Sequence, residues 1–547
     1  MCQKTQRLRG LATSAKALGT SDTVGSMKRA WALLLPLPLL LTAAPRSYLA
    51  HDEGYYALQA RWILEQGDWL APLWWGQPLY DRTIGVQWAI ASSFRLFGTS
   101  SLAAHLPSLL AAVACLALTH GLVQALAPEG TPAGGKARLS APLAVAVLAL
   151  TPLWMNYAHL ASQDMPLLAV ELLGLLGLVR ARPGAPWPWA ALAGLSVGLA
   201  FLIKGFMVAL PLVAIAPYLW IARRRVLAHP ALWAGLVLGW LPVVLWLGLS
   251  IQVHGLQTVS GLWLKLLFLS GSDVYSGGPF YYLWNIPANT APWILAALPG
   301  WWLGLRGAWN REQKLLLAAY PLLLLLLLSC FRTKTPYYGL QVTPFLAMAA
   351  AQGLQHWAER PGRWIAGAIA SLGGVLLLGA ALLALPATGL AQRLGPVPPP
   401  ELLALAGAAL GIPWLLLAWS RSPRQRLVRL LLGPWLALVV LVQGGLFTDR
   451  SPQLARALAA PELQALLGPA PVQVVAPDPL GGEDHAQLIL LALGTPQLGA
   501  RLQDPAALRP GQRAWMRTPP GQSEPPDRLR RLAGSKDLGD WWLVEKP

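Results

Sequence analysis

Four carboxylates and four basic side chains interrupt the apolar stretches of this chain, and their types suit acid–base and anion chemistry. Asp52 and Glu53 stand side by side, and a carboxylate beside a hydroxyl can act as a general base. Asp81 directly precedes Arg82, and Asp164 begins an apolar run. Arg and Lys are the usual partners of phosphate groups. The basic candidates are Arg82, Lys204, Arg332 and Lys334.

Each of these residues could instead have a purely structural role, and the sequence alone does not decide between the chemical and the structural role. Asp52 and Asp164 could satisfy the free amides at the start of a helix. Asp81 and Arg82 could form a surface ion pair that contributes little. The basic side chains could extend to lipid phosphates. The tyrosine pair Tyr337-Tyr338 suits either the membrane interface or the flank of a bound sugar.

The composition indicates a membrane protein. Of the 547 residues, 55% are hydrophobic and only 12% are charged, about half the share of roughly 25% in soluble domains. This balance excludes a disordered chain and disfavours a soluble enzyme. Three cysteines provide neither a disulfide framework nor a cysteine zinc site.

Apolar runs of about 20 residues predict membrane-spanning helices. We expect an all-α polytopic bundle with about thirteen spans over residues 30–447, preceded by a segment at 1–29. The predicted spans are 30–46, 101–126, 140–157, 164–180, 187–203, 205–222, 231–250, 281–304, 315–331, 336–353, 364–386, 401–420 and 428–447. The run after Lys28-Arg29 also resembles a signal peptide, although it has no clean small-x-small cleavage site.

The distribution of charge sets the orientation. With a cytoplasmic N-terminal segment, 22 basic residues of the membrane part fall on the cytoplasmic side and nine on the opposite side. The positive-inside rule selects this arrangement, which places the C-terminal part outside. Topology does not explain the nine outer basic residues, and they are Arg46, Arg61, Arg82, Arg95, Lys204, Lys265, Arg332, Lys334 and Arg393. Basic residues that punctuate apolar stretches do not form a nucleic-acid surface.

Three outer regions follow from this topology. The loop 47–100 is the most polar stretch of the membrane part, and we expect amphipathic interfacial helices at 53–66 and 83–97. The loop 251–280 contains a third apolar helix around Lys265. Residues 448–547 change in character and predict a small α/β domain, with strands in VQVV, RAWM and WWLV and a helix or buried strand in AQLILLAL.

At this point a family resemblance is visible. HDEGYYALQARWILEQGDWLAP, LYDRTIGVQW and RLFGTSSLAAHLPSLL resemble the first-loop signature of the family that contains the bacterial lipid A 4-amino-4-deoxyarabinose transferases. The chain is more distantly similar to protein O-mannosyltransferases. SQDMPLL, FLIKGF and RTKTPYYGLQVTPFLA follow in the expected order, so the likeness covers residues 1–447. These families are membrane glycosyltransferases of the GT-C fold.

The resemblance implies a polyprenyl-phosphate sugar donor and an acceptor outside the membrane. It places Asp52 at the catalytic base, Asp164 at the second acidic position and Lys204 at the donor phosphate. Arg82 stands where relatives place a Lys, without the Pro that follows there. Some relatives bind a metal through the acid at position 81 and a later His, but His254 does not align with that position. We therefore assign no metal ligands, and the sequence requires no cofactor, with a bound divalent metal as the open alternative.

The expected activity is inverting transfer of a sugar to a hydroxyl or phosphate of an envelope acceptor. That acceptor is a lipid A-like glycolipid, another glycan or a protein. Glu53, Asp81, Arg82, Lys204, Arg332, Lys334, Tyr337 and Tyr338 are the candidate substrate-binding residues. The chain has neither D-x-D nor a phosphate-binding loop of the G-x-x-x-x-G-K-[ST] type, which suits a lipid-linked donor. We expect a monomer in the inner membrane, and the alternative is a transporter or lipid flippase.

Overall fold

The computed structural model describes residues 51–127, 139–182, 184–271, 277–385, 399–445, 452–476, 482–517, 525–526, 529–534 and 538–547. The N-terminal segment and the first predicted span, 30–46, lie outside the described residues. Helices dominate the membrane part and run in the order α1 (His51–Gln66), α2 (Gly85–Phe97), α3 (Ser101–Ala125), α4 (Ala141–Ala149), α5 (Pro152–Ala158), α6 (Asp164–Arg180), α7 (Pro188–Lys204), α8 (Ala209–Ala222), α9 (Arg224–Leu227), α10 (Pro230–His254), α11 (Gln257–Gly271), α12 (Tyr281–Thr290), α13 (Ile294–Leu303), α14 (Arg311–Cys330), α15 (Thr343–Glu359), α16 (Arg363–Ala384), α17 (Pro400–Leu415) and α18 (Pro423–Gln443).

Local signals fix where several of these helices begin. A proline stands in the first turn of α5, α7, α10, α17 and α18, where its missing N–H leaves no hydrogen bond unmade. Ser100 caps α3 by accepting a hydrogen bond from the amide of Ala103, 3.2 Å away. Pro152 also separates α4 from α5, because a proline inside the run would lose a helical hydrogen bond. The two helices meet at a bend of 69°.

Within the described residues, seven helices are long and apolar enough to cross a membrane, and there are eight if the bent pair α4–α5 is one span. Each predicted span after the first coincides with a helix or a pair of helices. The total of thirteen stays a prediction. Large apolar side chains such as Val237, Leu241 and Val244 are more than 45% exposed on α10, as expected for a helix that faces lipid.

Two glycine pairs let α7 and α10 approach each other closely. Gly194 and Gly198 on α7 face Gly235 and Gly239 on α10. A Cβ atom added at Gly198 would lie 2.2 Å from the carbonyl group of Gly239. Such small-xxx-small pairs bring helix backbones into contact within membranes. This packing fixes the position of α7, whose last residue is Lys204.

The helices α1 and α2 form at the predicted places in the 47–100 loop, but α1 is not amphipathic. Residues 56–63 of α1 are all buried. The reason is that α2 covers one side of α1 and the C-terminal domain covers another, so protein replaces the expected solvent or headgroup surface.

Within its described residues, the C-terminal domain combines three α-helices with a mixed sheet of five strands. Its elements are α19 (Pro452–Ala459), α20 (Pro461–Leu467) and α21 (Gly482–Gly494), and β3 (Val472–Val475), β4 (Leu498–Leu502), β5 (Arg513–Arg517), β6 (Arg530–Ala533) and β7 (Trp541–Glu545). A short hairpin, β1 (Leu73–Trp74) and β2 (Gln77–Pro78), precedes it in the chain. The sheet order is β4-β3-β5-β7-β6, with β3 parallel to β4 and β5 and the other pairs antiparallel. The three predicted strands and the helical alternative for AQLILLAL are confirmed, whereas β4 and β6 were not predicted.

Candidate functional site

A cavity of about 320 Å³ lies where the start of α6 and the end of α7 meet the middle of α11, the loop before α2 and the segment 333–338. Its lining combines three cations and two carboxylates with hydroxyl and aromatic groups. The lining residues are Tyr56, Asp81, Arg82, Thr83, Gln163, Asp164, Lys204, Gly205, Phe206, Met207, Leu262, Lys265, Leu266, Phe268, Thr333, Thr335, Tyr337 and Tyr338. Six of the ten predicted site residues are therefore gathered at one cavity.

The antiparallel packing of α6 and α7 brings Asp164 and Lys204 together. Asp164 is the first residue of α6 and Lys204 is the last residue of α7, so both lie at the same end of the helix pair. Each charge also stands at the favourable end of its helix dipole. The ammonium group of Lys204 donates a hydrogen bond to Asp164 Oδ1, and both side chains are at most 10% exposed.

Two tyrosines and a serine complete the surroundings of this ion pair. Lys204 Nζ lies 4.6 Å from the ring centre of Tyr337 and 5.4 Å from that of Tyr338. The hydroxyl of Ser162 donates to Asp164 Oδ2 at 3.1 Å. The faces of aromatic rings attract an ammonium group. These contacts therefore fix the ammonium group of Lys204 at the cavity wall.

Arg82 supplies the second cation of the cavity. Its guanidinium forms a two-point pair with Asp81, with Nε at 3.1 Å and Nη2 at 2.9 Å from the carboxylate oxygens. Its Cζ lies 4.4 Å from the ring centre of Tyr55 and 4.9 Å from that of Tyr56, both on α1. Burial lowers the pKa of Arg82, but Tyr56, Asp81 and Tyr55 together raise that pKa above its ordinary value, so the charge persists.

Contacts with the membrane helices hold the loop that carries Arg82. Trp246 and Ser250 of α10 both donate hydrogen bonds to the carbonyl of Leu70, at 2.9 and 2.8 Å. A Cβ at Gly85 would lie 2.6 Å from the carbonyl oxygen of Leu202, so the start of α2 packs directly on the end of α7. These contacts place Arg82 beside the helix end that presents Lys204.

Glu53 and Lys334 are absent from the cavity lining. Glu53 is 2% exposed and accepts hydrogen bonds from the amide of Ala161 at 2.7 Å and, at the same distance, from His105 Nε2. His105 Nδ1 lies 2.6 Å from the carbonyl oxygen of Ser101, the first residue of α3. Glu53 thus ties α1 to α3 and to the turn before α6.

Lys334 is 6% exposed and donates to the carbonyls of Leu328, Ser329 and Phe331 at the end of α14. Burial lowers the pKa of Lys334. Arg332 is exposed outside the cavity lining. The helix α1 begins at His51, so Asp52 lies in its first turn, but the side chain of Asp52 is outside the described residues.

The predicted site residues omitted six polar residues that line the cavity, namely Tyr56, Thr83, Gln163, Lys265, Thr333 and Thr335. Lys265 is one of the nine basic residues on the predicted outer side, and that exception to the charge rule is the signal that could have identified it. The ammonium of Lys265 lies 5.3 Å from the ring centre of Phe268 on the same helix.

Among the described residues, no cluster of three or more His, Cys, Asp and Glu side chains is arranged to hold a metal ion. Asp81 is paired with Arg82, and His254 Nε2 lies 3.1 Å from the carboxylate of Asp68. The three cations of the cavity lining suit an anion.

Comparison with known proteins identifies related sequences. Residues 81–247 match the family described as dolichyl-phosphate-mannose–protein mannosyltransferase. An undecaprenyl phosphate-alpha-4-amino-4-deoxy-L-arabinose arabinosyl transferase of Pseudomonas aeruginosa strain LESB58 is 28% identical over 363 residues, which are 63% of this chain and 62% of that protein. A protein of the same name from Aeromonas hydrophila is 27% identical over 334 residues, or 57% of each chain. The matched part thus spans less than two thirds of these relatives.

The fold resembles that of a solved structure over almost the whole chain. The crystal structure of ArnT from Cupriavidus metallidurans bound to undecaprenyl phosphate has a TM-score of 0.71 with this chain. The alignment covers 96% of this chain and 98% of that structure at 18% identity. The apo form of the same protein gives a TM-score of 0.69.

Proposed function

We propose that this chain, a membrane glycosyltransferase of the GT-C class in the family of the aminoarabinose and protein mannosyl transferases, moves a sugar from a polyprenyl-phosphate donor to an envelope acceptor. The acceptor group is a hydroxyl or a phosphate on a lipid A-like glycolipid, another glycan or a protein. The observation that carries this proposal is the cavity in which Lys204, Arg82 and Lys265 stand beside Asp164 and the tyrosine pair.

The donor phosphate would bind where these cations meet. Two of the three cations are paired with carboxylates, Lys204 with Asp164 and Arg82 with Asp81. Lys265 is the third cation, so the lining has one positive charge more than it has negative charges, which suits an anion. Charge builds on the phosphate oxygen as the bond to the sugar breaks. Fixed cations in a site with little water stabilise that charge strongly because they need no reorganisation.

Asp52 is the proposed general base, and Asp164 is the second acid of the site. Asp52 would take the proton of the acceptor group as that group attacks the anomeric carbon, and the lipid phosphate would leave from the opposite face. A single displacement of this kind inverts the anomeric centre. In this scheme Asp164 also holds Lys204 against the phosphate. Glu53 and Lys334 stabilise the structure around the cavity without contacting the substrate. Tyr337 and Tyr338 flank the sugar or the phosphate.

The proposed location is the inner membrane, with the cavity and the C-terminal domain on the outer side. The charge asymmetry of the loops supports this orientation. A transporter would require charges near the middle of the bilayer, whereas this cavity lies at helix ends. The family match also favours the transferase.

A proteoliposome assay with the donor of the relatives, undecaprenyl phosphate-4-amino-4-deoxy-L-arabinose, tests the proposal. Lipid A is the first acceptor to supply on the outer side. We expect sugar transfer, detected by mass spectrometry, that Asp52→Asn abolishes. Movement of the donor across the bilayer without any product, from this donor and from other polyprenyl-phosphate sugars, would instead support a flippase.

A further inference from the structure

Arg61 is a buried arginine on α1 that neither the bundle nor the cavity explains. Its side chain is 7% exposed, and all three of its nitrogen atoms are engaged. Nη1 donates to the carbonyls of Ala492 and Thr495 at 3.1 and 2.8 Å, and Nη2 donates to that of Pro496 at 2.8 Å. Nε donates to Glu65 at 2.6 Å, which fixes the plane of the guanidinium.

These carbonyls lie at the C-terminal end of α21, in a different domain from α1. The last carbonyls of a helix have no partner within the helix, and that end carries partial negative charge. A guanidinium is suited to this position because its planar fork offers several donors and keeps its charge. Arg61 thus caps a helix more than 400 positions away in sequence, rather than extending to lipid.

Two further contacts join the same helices closer to the cavity. A Cβ at Gly54 would lie 2.4 Å from Ile489 Cγ2, so α1 and α21 touch within two residues of Asp52. Trp74 stacks between Tyr55 and His485, with ring centres 4.3 and 5.5 Å away. The Tyr55 ring lies in turn under the guanidinium of Arg82. Aromatic contacts therefore run from the C-terminal domain to the cavity wall.

We propose that Arg61 is a positioning residue that locks the C-terminal domain onto α1 and thereby holds Tyr55, Tyr56 and Arg82 in place. Thr495 connects this lock to the centre of the sheet, because its hydroxyl accepts a hydrogen bond from Trp515 Nε1 at 2.8 Å. The domain is in this sense part of the donor site, although no described residue of it lines the cavity. The inference rests on the proposed function, since it assigns Arg82 to the donor phosphate.

Arg61→Gln tests this proposal with undecaprenyl phosphate as the probe. Native mass spectrometry of the full chain in detergent measures the dissociation constant, and hydrogen exchange measures the stability of α1 and of β5. We expect affinity to fall about tenfold, which corresponds to about 1.4 kcal/mol. Exchange should quicken in α1 but not in β5, because the domain keeps its own core. Arg61→Lys retains the charge without the fork and should give an intermediate loss.

An engineered disulfide separates positioning from general destabilisation. The Cβ expected at position 54 lies 3.6 Å from Ile489 Cβ, within the usual range for a disulfide. Gly54→Cys with Ile489→Cys, placed in Arg61→Gln with Cys2 and Cys330 changed to Ser, should recover undecaprenyl phosphate affinity on oxidation and lose it on reduction. Arg95→Gln, at an exposed arginine on α2, is the matched control and should change neither measurement.

The outcomes distinguish this inference from the function on which it rests. If the unaltered protein does not bind undecaprenyl phosphate, the proposed function fails. If it binds, and Arg61→Gln binds equally well with unchanged exchange in α1, the positioning role of Arg61 is refuted. A loss of affinity in Arg61→Gln that oxidation of the engineered pair does not reverse also refutes it.

Discussion

Lys204→Met is the most informative single change, because the ammonium of Lys204 has two separable roles. It neutralises Asp164 in a setting where both side chains are at most 10% exposed, and it is the proposed contact for the donor phosphate. Removing one partner of a buried ion pair costs about 3–5 kcal/mol of stability. A hydrogen bond to a charged group contributes about 1.5–3 kcal/mol, so its loss should weaken phosphate binding about 10- to 150-fold.

The double change Lys204→Met with Asp164→Asn separates these two effects. It removes both charges, so most of the stability lost in the single variant should return. Undecaprenyl phosphate affinity should stay 10- to 150-fold reduced, because the phosphate contact is still missing. Native mass spectrometry measures the affinity, and thermal unfolding in detergent measures the stability. Lys314→Met, on the predicted cytoplasmic side, is the control of the same residue type.

The reasoning is refuted if the double variant binds undecaprenyl phosphate as well as the unaltered protein. Lys204 would then be only the structural partner of Asp164. A single variant of normal stability would contradict the other half of the reasoning, because it would mean that water reaches the pair and screens it.

Three further predictions concern other parts of the molecule. Asp52→Asn should abolish sugar transfer but keep undecaprenyl phosphate affinity, so a variant with normal turnover excludes Asp52 as the base. Lys334→Met should lower the thermal unfolding temperature without changing that affinity, because Lys334 caps α14 outside the cavity lining; weaker binding with normal stability would contradict this. Gly198→Ala should destabilise the protein by about 1–3 kcal/mol, because its Cβ would meet the backbone of α10. Gly248→Ala is the control, since its Cβ would meet open space. Equal thermal unfolding temperatures of the two variants would argue against close packing of α7 and α10.

The helices and most of the C-terminal strands could be predicted because their signals are local. A span needs a continuous apolar run, and a proline or serine marks its start. The strands Val472–Val475 and Trp541–Glu545 likewise stand out as short apolar runs. The proximity of Asp164 and Lys204 could also be predicted. Consecutive spans run in opposite directions, so the start of one span and the end of the next lie at the same membrane surface.

The roles of Glu53 and Arg61 could not be predicted because their partners are distant in sequence. Glu53 contacts His105, which lies 52 positions away, and Arg61 contacts carbonyls of the C-terminal domain. The same domain covers one side of α1 and α2 covers another, so α1 lacks the polar face that we expected of an interfacial helix. The close contact between α7 and α10, in contrast, could have been predicted, although we did not predict it. Two G-x-x-x-G motifs stand in neighbouring apolar runs.

The central claim is that this chain transfers a sugar from a polyprenyl-phosphate donor to an envelope acceptor, and mass spectrometry of the cell envelope tests it most directly. Glycolipids and glycoproteins would be compared between cells with the unaltered protein, cells with Asp52→Asn and cells without the gene. We predict a product heavier by one sugar only with the unaltered protein, and accumulation of the polyprenyl-phosphate sugar in the other two. Identical products and donor levels in all three would contradict the account.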